Sequence, residues 1–332
     1  MKYFVTGATG FIGGCLAHQL LASGHEVIAL VRMPAKAQKL VTLGVKVYEG
    51  DITDLESLRT PMMGVDGVFH VAAWYKIGAE DNSKAEAINV SGTRNVLQMM
   101  KELGIPKGVY TSTLTVFSDT KGQMVDESYK YTGPSFLSEY DRTKWKAHYQ
   151  VALPMIQAGL PLVIVQPGLV YGSGDTSVIH KVFVNYLRGK LPMLPKQTAY
   201  CWGHVEDTAH GHILAMERGK IGETYIIAGP KHTTIEAFAI AEQITGLPAP
   251  RLHLEPWMMK VMAAAVSLFS AVVPLPELYR AEAIRSSAGV SYLGSNEKAW
   301  RELGYRPRTL EQGLQEMLEL SMSESGYYSG TH

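Results

Sequence analysis

Thr6-Gly7-Ala8-Thr9-Gly10-Phe11-Ile12-Gly13 follows directly on the apolar run Lys2–Thr6 and leads straight into a helical pattern, Phe11–Ala22. Three glycines at GxxGxxG spacing between a strand and a helix have separate uses. Gly7 permits the tight turn, Gly10 lets backbone N–H groups approach a pyrophosphate, and Gly13 lets the helix pack closely on the sheet. A glycine turn without a ligand is the competing reading, and the strand–turn–helix context argues against it. Gly7, Thr9, Gly10, Phe11 and Ile12 are therefore the expected phosphate-side contacts.

Working outward, strands and helices alternate: strand Glu26–Val31, helix 35–42, strand 45–48, helix Leu55–Met62, strand 67–71, helix 85–103, strand 108–113, a long helix around 137–157 and strand 160–166. The strands are continuous apolar runs rather than in–out alternations, which predicts a parallel sheet covered on both faces, a doubly wound α/β fold. Beyond Pro167 the regularity weakens. A glycine loop over 172–174 leads to a helix at 178–188, Pro192 and Pro195 break the chain, 222–228 reads as a strand rejoining the sheet, and 233–245 reads as a helix. The remainder reads as helices and loops. No repeat or long linker separates two units, so the expected division is interleaved: 1–171 plus 203–228 for nucleotide binding, and 172–202 plus 229–332 as a smaller, mostly helical substrate region.

The chain of 332 residues balances 31 Lys and Arg against 31 Asp and Glu and is 46% hydrophobic. A basic nucleic-acid groove or a disordered acidic chain would need a charge excess, so neither is expected. Two cysteines, Cys15 and Cys201, cannot build a disulfide framework or a cysteine zinc site, and no metal is expected. Met1 to Thr6 runs into the first strand without a basic n-region or cleavage site, which predicts a cytoplasmic protein. The apolar stretch 258–273 is shorter than a bilayer span and is interrupted by Lys260. It reads as a buried helix or pocket wall in preference to a membrane-surface contact.

Dinucleotide folds that prefer NAD place an acid near the end of the second strand, for the ribose 2′-hydroxyl. Residues 27–40 contain none, but do contain Arg32, Lys36 and Lys39. A cation there suits the 2′-phosphate of NADP, with Arg32 best placed because its planar fork binds phosphate and stacks on adenine. Lys36 and Lys39 read equally well as a solvated helix face. NAD remains the alternative cofactor. Asp51, with Ile52 beside it, is either an adenine contact or a helix cap.

Tyr140-Asp141-Arg142-Thr143-Lys144 sets a tyrosine and a lysine at i,i+4, so both project from one helix face. A phenol with an ordinary pKa near 10 is a poor acid–base catalyst at neutral pH, and a nearby ammonium favours its phenolate. Tyr-x-x-x-Lys alone is common on helix surfaces. After the fifth strand of a dinucleotide fold it points to catalysis.

These motifs occur in order with His70-Val71-Ala72-Ala73, Asn89-Val90-Ser91-Gly92-Thr93-Arg94-Asn95, the strand 109–113, Gln166-Pro167-Gly168-Leu169-Val170-Tyr171-Gly172 and Gly203-His204-Val205-Glu206-Asp207-Thr208-Ala209. Over about the first 230 residues the chain resembles the extended short-chain dehydrogenases/reductases, with a Rossmann fold. Within them it is most similar to dihydroflavonol-4-reductase-like and hopanoid-associated sugar epimerase-like proteins. The resemblance implies that Tyr140 is the proton donor or acceptor and that Lys144 tunes it while bonding the nicotinamide ribose. It implies Thr113 as the hydroxyl partner, with Ser112 as the alternative. Val71, Ala72, Ala73, Asn89, Thr111, Pro167, Gly168 and Val170 would line the cofactor, although Thr111 and Ser112 also read as strand-end hydroxyls and Asn89 as a satisfied buried amide. Hydride transfer between nicotinamide and a ketone or aldehyde follows.

Nucleotide-sugar enzymes of that superfamily typically carry an arginine where this chain has Tyr200, which weakens a diphosphate substrate. Trp74, Tyr75, Phe117, Tyr171, Trp202 and Trp257 are the candidates to line an apolar or aromatic pocket instead; each taken singly reads more readily as core, and Trp74 and Tyr75 stand out because they follow a strand's carboxyl end. A sugar or nucleotide-sugar epimerase that retains its cofactor, and a non-catalytic NADP-binding regulator, are the other readings. A homodimer through the Tyr140 helix would fit the resemblance.

Overall fold

The apolar runs become the strands of one sheet because helices cover both its faces. A computed structural model describes residues 1–75, 82–175, 177–269 and 280–324. The strands are β1 Lys2–Thr6, β2 Glu26–Val31, β3 Lys46–Glu49, β4 Gly67–His70, β5 Gly108–Thr111, β6 Leu162–Gln166, β7 Leu169–Tyr171, β8 Met193–Pro195, β9 Ala199–His204, β10 Thr224–Ile226, β11 Lys231–Thr233, β12 Leu252–Leu254 and β13 Ser291–Tyr292. Seven form the main sheet in the order β10-β6-β5-β4-β1-β2-β3, every pair parallel. The strand order reverses between β1 and β4, and in such a sheet the crevice at the carboxyl ends of those two strands is where a ligand binds.

Strand alternation sorts the two cores. Tyr3, Val5, Val109, Val163 and Val165 pack with Leu16, Leu20, Ala209 and Ile213 of helices Phe11–Ala22 and Val205–Arg218. Phe4, Tyr110, Leu162 and Ile164 pack on the other face with Leu58, Val96, Met100 and Val151. Ion pairs from Arg142 (2.6 Å) and Lys146 (3.0 Å) to Glu86 join the Tyr140 helix, Glu139–Lys146, to the neighbouring Ser83–Glu86, and Arg142 also pairs with Glu139 on its own helix (2.5 Å).

Gly13 has no room for a side chain: a methyl there would land on the Gly7 carbonyl oxygen. Gly13→Ala should therefore force the helix off the loop and destabilise the protein by about 1–3 kcal/mol, read as a lower melting temperature together with weaker dinucleotide binding. An unchanged melt would refute the packing role.

The region beyond Pro167 carries more sheet than expected. β9 pairs antiparallel with β11 and parallel with β7 and β13, and β8 pairs with β12. These strands are two to six residues long, too short to show a period in the sequence. The helix Pro256–Phe269 corrects the expectation for 258–273, of which 270–273 lie outside the described residues. It rests Met259 and Ala263 on Ile284 and Ala288, but Trp257, Val261 and Met262 are exposed, so one face of the helix is buried and the other is not. Among the described residues no helix is long and apolar enough to cross a membrane.

Candidate active site

The glycine loop is shaped as a cradle for an anion. Gly7 takes φ +76°, and a Cβ there would sit 2.7 Å from the Ala72 amide nitrogen, so the loop and the end of β4 touch backbone to backbone. Gly10 is the N-cap of Phe11–Ala22 and offers no side chain to its free N–H groups, which leaves them for a ligand. A cavity of about 420 Å³ opens over Thr9, Gly10 and Phe11, with Ser173, Gly174 and His204 also in its wall beside Glu206 and Glu316, whose carboxylates are paired with Arg308. The loop, the uncapped helix end and the cavity fit a dinucleotide pyrophosphate.

Beneath the loop a chain of hydrogen bonds fixes the strand ends. Thr6 Oγ1 accepts from the Val71 and Ala72 N–H groups (3.2 and 3.1 Å) and donates to His70 Nδ1 (2.8 Å). His70 Nε2 donates to Thr93 Oγ1 (3.0 Å), which donates to the Asn89 carbonyl (2.7 Å). Each hydroxyl has one proton, so this order requires a neutral imidazole. Burial agrees, holding the His70 pKa down to about 3, with the Lys144 charge acting in the same direction. Nothing in the sequence marked His70 beyond its place in a strand end; a buried histidine flanked by threonines is visible only once the strands are registered.

Lys144 donates to the Thr111 carbonyl (2.7 Å) and to Tyr110 Oη (3.3 Å), and its ammonium lies 4.9 Å from the Tyr110 ring centroid. Burial pulls its pKa down to about 7. Tyr140 packs with Trp74 and Ala85, takes the edge of the Tyr75 ring at 5.0 Å, and is hydrogen-bonded to Thr113. Burial pushes its phenol well above the ordinary value, Tyr75 and Asp141 push the same way, and the Thr113 hydroxyl opposes them.

The choice between Thr113 and Ser112 follows from which face each side chain takes. Ser112 Oγ is bound to His148 Nδ1 (2.8 Å), behind the Tyr140 helix, whereas Thr113 reaches Tyr140 and also accepts from the Thr115 N–H (3.2 Å). Thr111 points to the opposite face, where its hydroxyl meets His212 Nε2 (2.9 Å), leaving only its carbonyl for the site.

Several expected contacts also have partners within the chain. Asn89 bonds Trp74 N (2.7 Å), Trp74 O (3.1 Å) and Thr143 Oγ1 (2.9 Å), the satisfied buried amide of the alternative reading, and so fixes the Trp74 segment. Asp51 Oδ1 accepts from the Thr53 N–H and hydroxyl (both 2.9 Å), and the N-cap of Leu55–Met62 is Asp54. Ile52 is buried beneath Gly92. Phe117, Tyr171 and Trp202 are buried and belong to the core: Phe117 packs with Leu114 and Tyr129, and Tyr171 and Trp202 with each other and Phe183. Trp257 is on the surface. Large aromatics read alike in sequence whether they fill a core or line a cleft. Of the expected pocket residues, Trp74 and Tyr75 reach Tyr140.

Arg32, at the end of β2, is exposed, as are Lys36 and Lys39, and none makes an ion pair among the described residues. Pro167 and Gly168 follow β6, and a side chain at Gly168 would collide with the Cys201 carbonyl, so this glycine also serves the approach of β9. Val170 lies in β7, paired with Gly203. His204, Glu206 and Glu316 come together, but Arg308 already pairs with both carboxylates at 2.9 and 2.6 Å.

A parallel sheet with a glycine-loop cradle, and a buried tyrosine–lysine pair beside a threonine at the end of β5, define a nicotinamide-dependent enzyme of the extended short-chain dehydrogenase/reductase type. Residues 3–228 match the model of the NAD dependent epimerase/dehydratase family, and the chain belongs to that family. It is 33% identical, over 94% of its length and 92% of the relative's, to a protein of Synechocystis provisionally named as a dihydroflavonol 4-reductase. It is 32% identical, over 98% of both chains, to the 4-hydroxy-2-methyl-3-oxo-4-farnesyl-3,4-dihydroquinoline-1-oxide ketoreductase of Stigmatella aurantiaca. The crystal structure of gox2253 superposes with a TM-score of 0.85 at 29% identity, covering 98% of each chain.

Proposed function

We propose that the protein is an NADP-dependent carbonyl reductase that interconverts a neutral, largely apolar ketone or aldehyde and its alcohol. Residues 1–171 and 203–228 would hold the cofactor, and 172–202 and 229–332 would cover the substrate. The observation that carries this reading is that buried Tyr140 has Thr113, Trp74 and Tyr75 against it, with buried Lys144 one turn further along the same helix. The cofactor supplies hydride at nicotinamide C4. Thr113 orients the carbonyl oxygen, and Tyr140 gives it a proton in reduction and takes it back in oxidation. Bound near the nicotinamide ribose, the Lys144 ammonium stabilises the phenolate left on Tyr140, while the Thr111 carbonyl holds that ammonium in place. Tyr200 standing where an arginine would bind a diphosphate, and the ketoreductase relative, support a carbonyl compound over a nucleotide sugar.

Arg32 supports NADP over NAD. Its guanidinium, at the end of β2, makes no ion pair among the described residues, and 27–40 contain no acid. Arg32→Ala should raise the NADPH dissociation constant about 10–100-fold, as expected for losing a hydrogen bond to a charged group, and leave that for NADH within a few-fold. Fluorescence titration with both dinucleotides measures this, and equal losses would remove the 2′-phosphate role.

A further inference from the structure

The Tyr140 helix carries a second buried ionisable group that this chemistry does not use. Asp141 is 1% exposed. Its carboxylate accepts from the Tyr292 hydroxyl (3.3 Å), and Ser138, the N-cap of its helix, also bonds to it. No cation is paired with it among the described residues. Arg142, next in sequence, is committed to Glu86 and Glu139, and Lys144 turns away toward Thr111, Tyr110, His70 and His148.

What surrounds Asp141 is phenolic. The pairing of β13 with β9 sets Tyr292 beside Tyr200, with rings 6.1 Å apart and 7° from parallel. Tyr200 and Tyr75 both lie within electrostatic reach of Asp141 and of each other, and Tyr75 in turn touches Tyr140. Tyr200 and Tyr292 come from the segments proposed to cover the substrate, so this buried carboxyl and its phenols lie between those segments and Tyr140.

We propose that Asp141 is a specificity-determining residue: it makes the cleft accept neutral carbonyl compounds and turn away anionic ones, keto acids and diphosphate esters alike. The inference rests on the carbonyl-reductase reading of the same site. An anionic substrate bound at Tyr140 would come within electrostatic reach of this buried negative charge, which has hydroxyls rather than a cation around it, and rejection of this kind is how a site discriminates against a competitor. The groups facing Asp141 are Tyr140 and Ser138 on its own helix, Thr115 on the short helix after β5, Tyr292, Tyr200, Tyr75 and Glu282. Burial raises the Asp141 pKa to about 7, so the discrimination should be present above that pH and fade below it.

The test uses the full-length protein loaded with NADP and two probes that share one ketone, methyl p-acetylbenzoate and p-acetylbenzoate. Calorimetry at pH 8 should show the ester binding about tenfold more tightly than the acid, ~1.4 kcal/mol. Asp141→Asn should reduce that ratio to about twofold, mainly by tightening the acid, and Asp141→Glu should keep it. Moving from pH 8 to pH 6 should narrow the ratio in the natural protein and leave Asp141→Asn flat. Failure of the ester to bind, equal affinities in the natural protein, or an unchanged ratio in Asp141→Asn overturns the proposal. Ester binding with the expected ratio but without NADPH oxidation would uphold it and count instead against carbonyl reduction.

Discussion

Tyr140→Phe should lower kcat for carbonyl reduction by about 10²–10⁴-fold, the range for removing a positioned general acid, while the NADPH dissociation constant stays within a few-fold. The separation follows from geometry. The Tyr140 ring fills space against Trp74, Ala85 and Tyr75 and is kept by phenylalanine, whereas the hydroxyl that meets Thr113 is lost. Steady-state rates and a dinucleotide titration on the same preparation check both halves. Turnover within tenfold of the natural protein would mean that another group moves the proton.

Acid should unfold the ligand-free protein at an unusually mild pH. His70, His148 and His212 are buried and held neutral, with pKa values pulled down to about 3, 3 and 4, burial being the main cause for each. In the unfolded chain they protonate near 6.5. Their stabilisation is therefore complete above that pH and is lost as the pH falls toward the folded values. Asp141 acts in the opposite sense: with its folded pKa raised to about 7, it adds stability as the pH drops from 7 toward its unfolded value near 4. Three protons favouring the unfolded state less one favouring the folded state leaves a net of about two. At about 1.4 kcal/mol per proton per pH unit, some 4 kcal/mol disappears between pH 6.5 and 5, a large part of a typical 5–15 kcal/mol. Denaturant melts across that window should show this slope. His212→Gln, which can still meet Thr111 and the Thr208 carbonyl, should be less stable at pH 7 but lose about one proton's worth of slope. A flat stability from pH 7 to 5 would contradict the neutral-histidine network.

The main sheet was legible because its signal is local. Strands buried on both faces must be continuously apolar, and Gly7 and Gly13 are demanded by backbone contacts that tolerate no side chain. Tyr140 and Lys144 were legible for the same reason, a fixed spacing on one helix turn. What escaped depends on residues far apart in the chain. His70 matters through Thr6 and Thr93, Asp141 through Tyr292, and Thr113 is separated from Ser112 only by the histidine behind Ser112. Phe117, Tyr171 and Trp202 stay open between core and pocket in the sequence because a strand-end aromatic does not declare whether the next strand will cover it, and β9 and β13 are too short to announce themselves. The region beyond Pro167 is therefore known from the folded chain, and the sheet that precedes it largely from the sequence.

The central claim is net hydride transfer to a carbonyl compound, rather than a cycle that returns hydride to the same molecule. Its most direct measurement is the stoichiometry of NADPH consumed to alcohol formed, with a panel of apolar aldehydes and ketones. One NADPH should be oxidised per alcohol produced, with both lost together in Tyr140→Phe. Interconversion of sugar epimers without net NADPH oxidation, and no alcohol from any member of the panel, would contradict it.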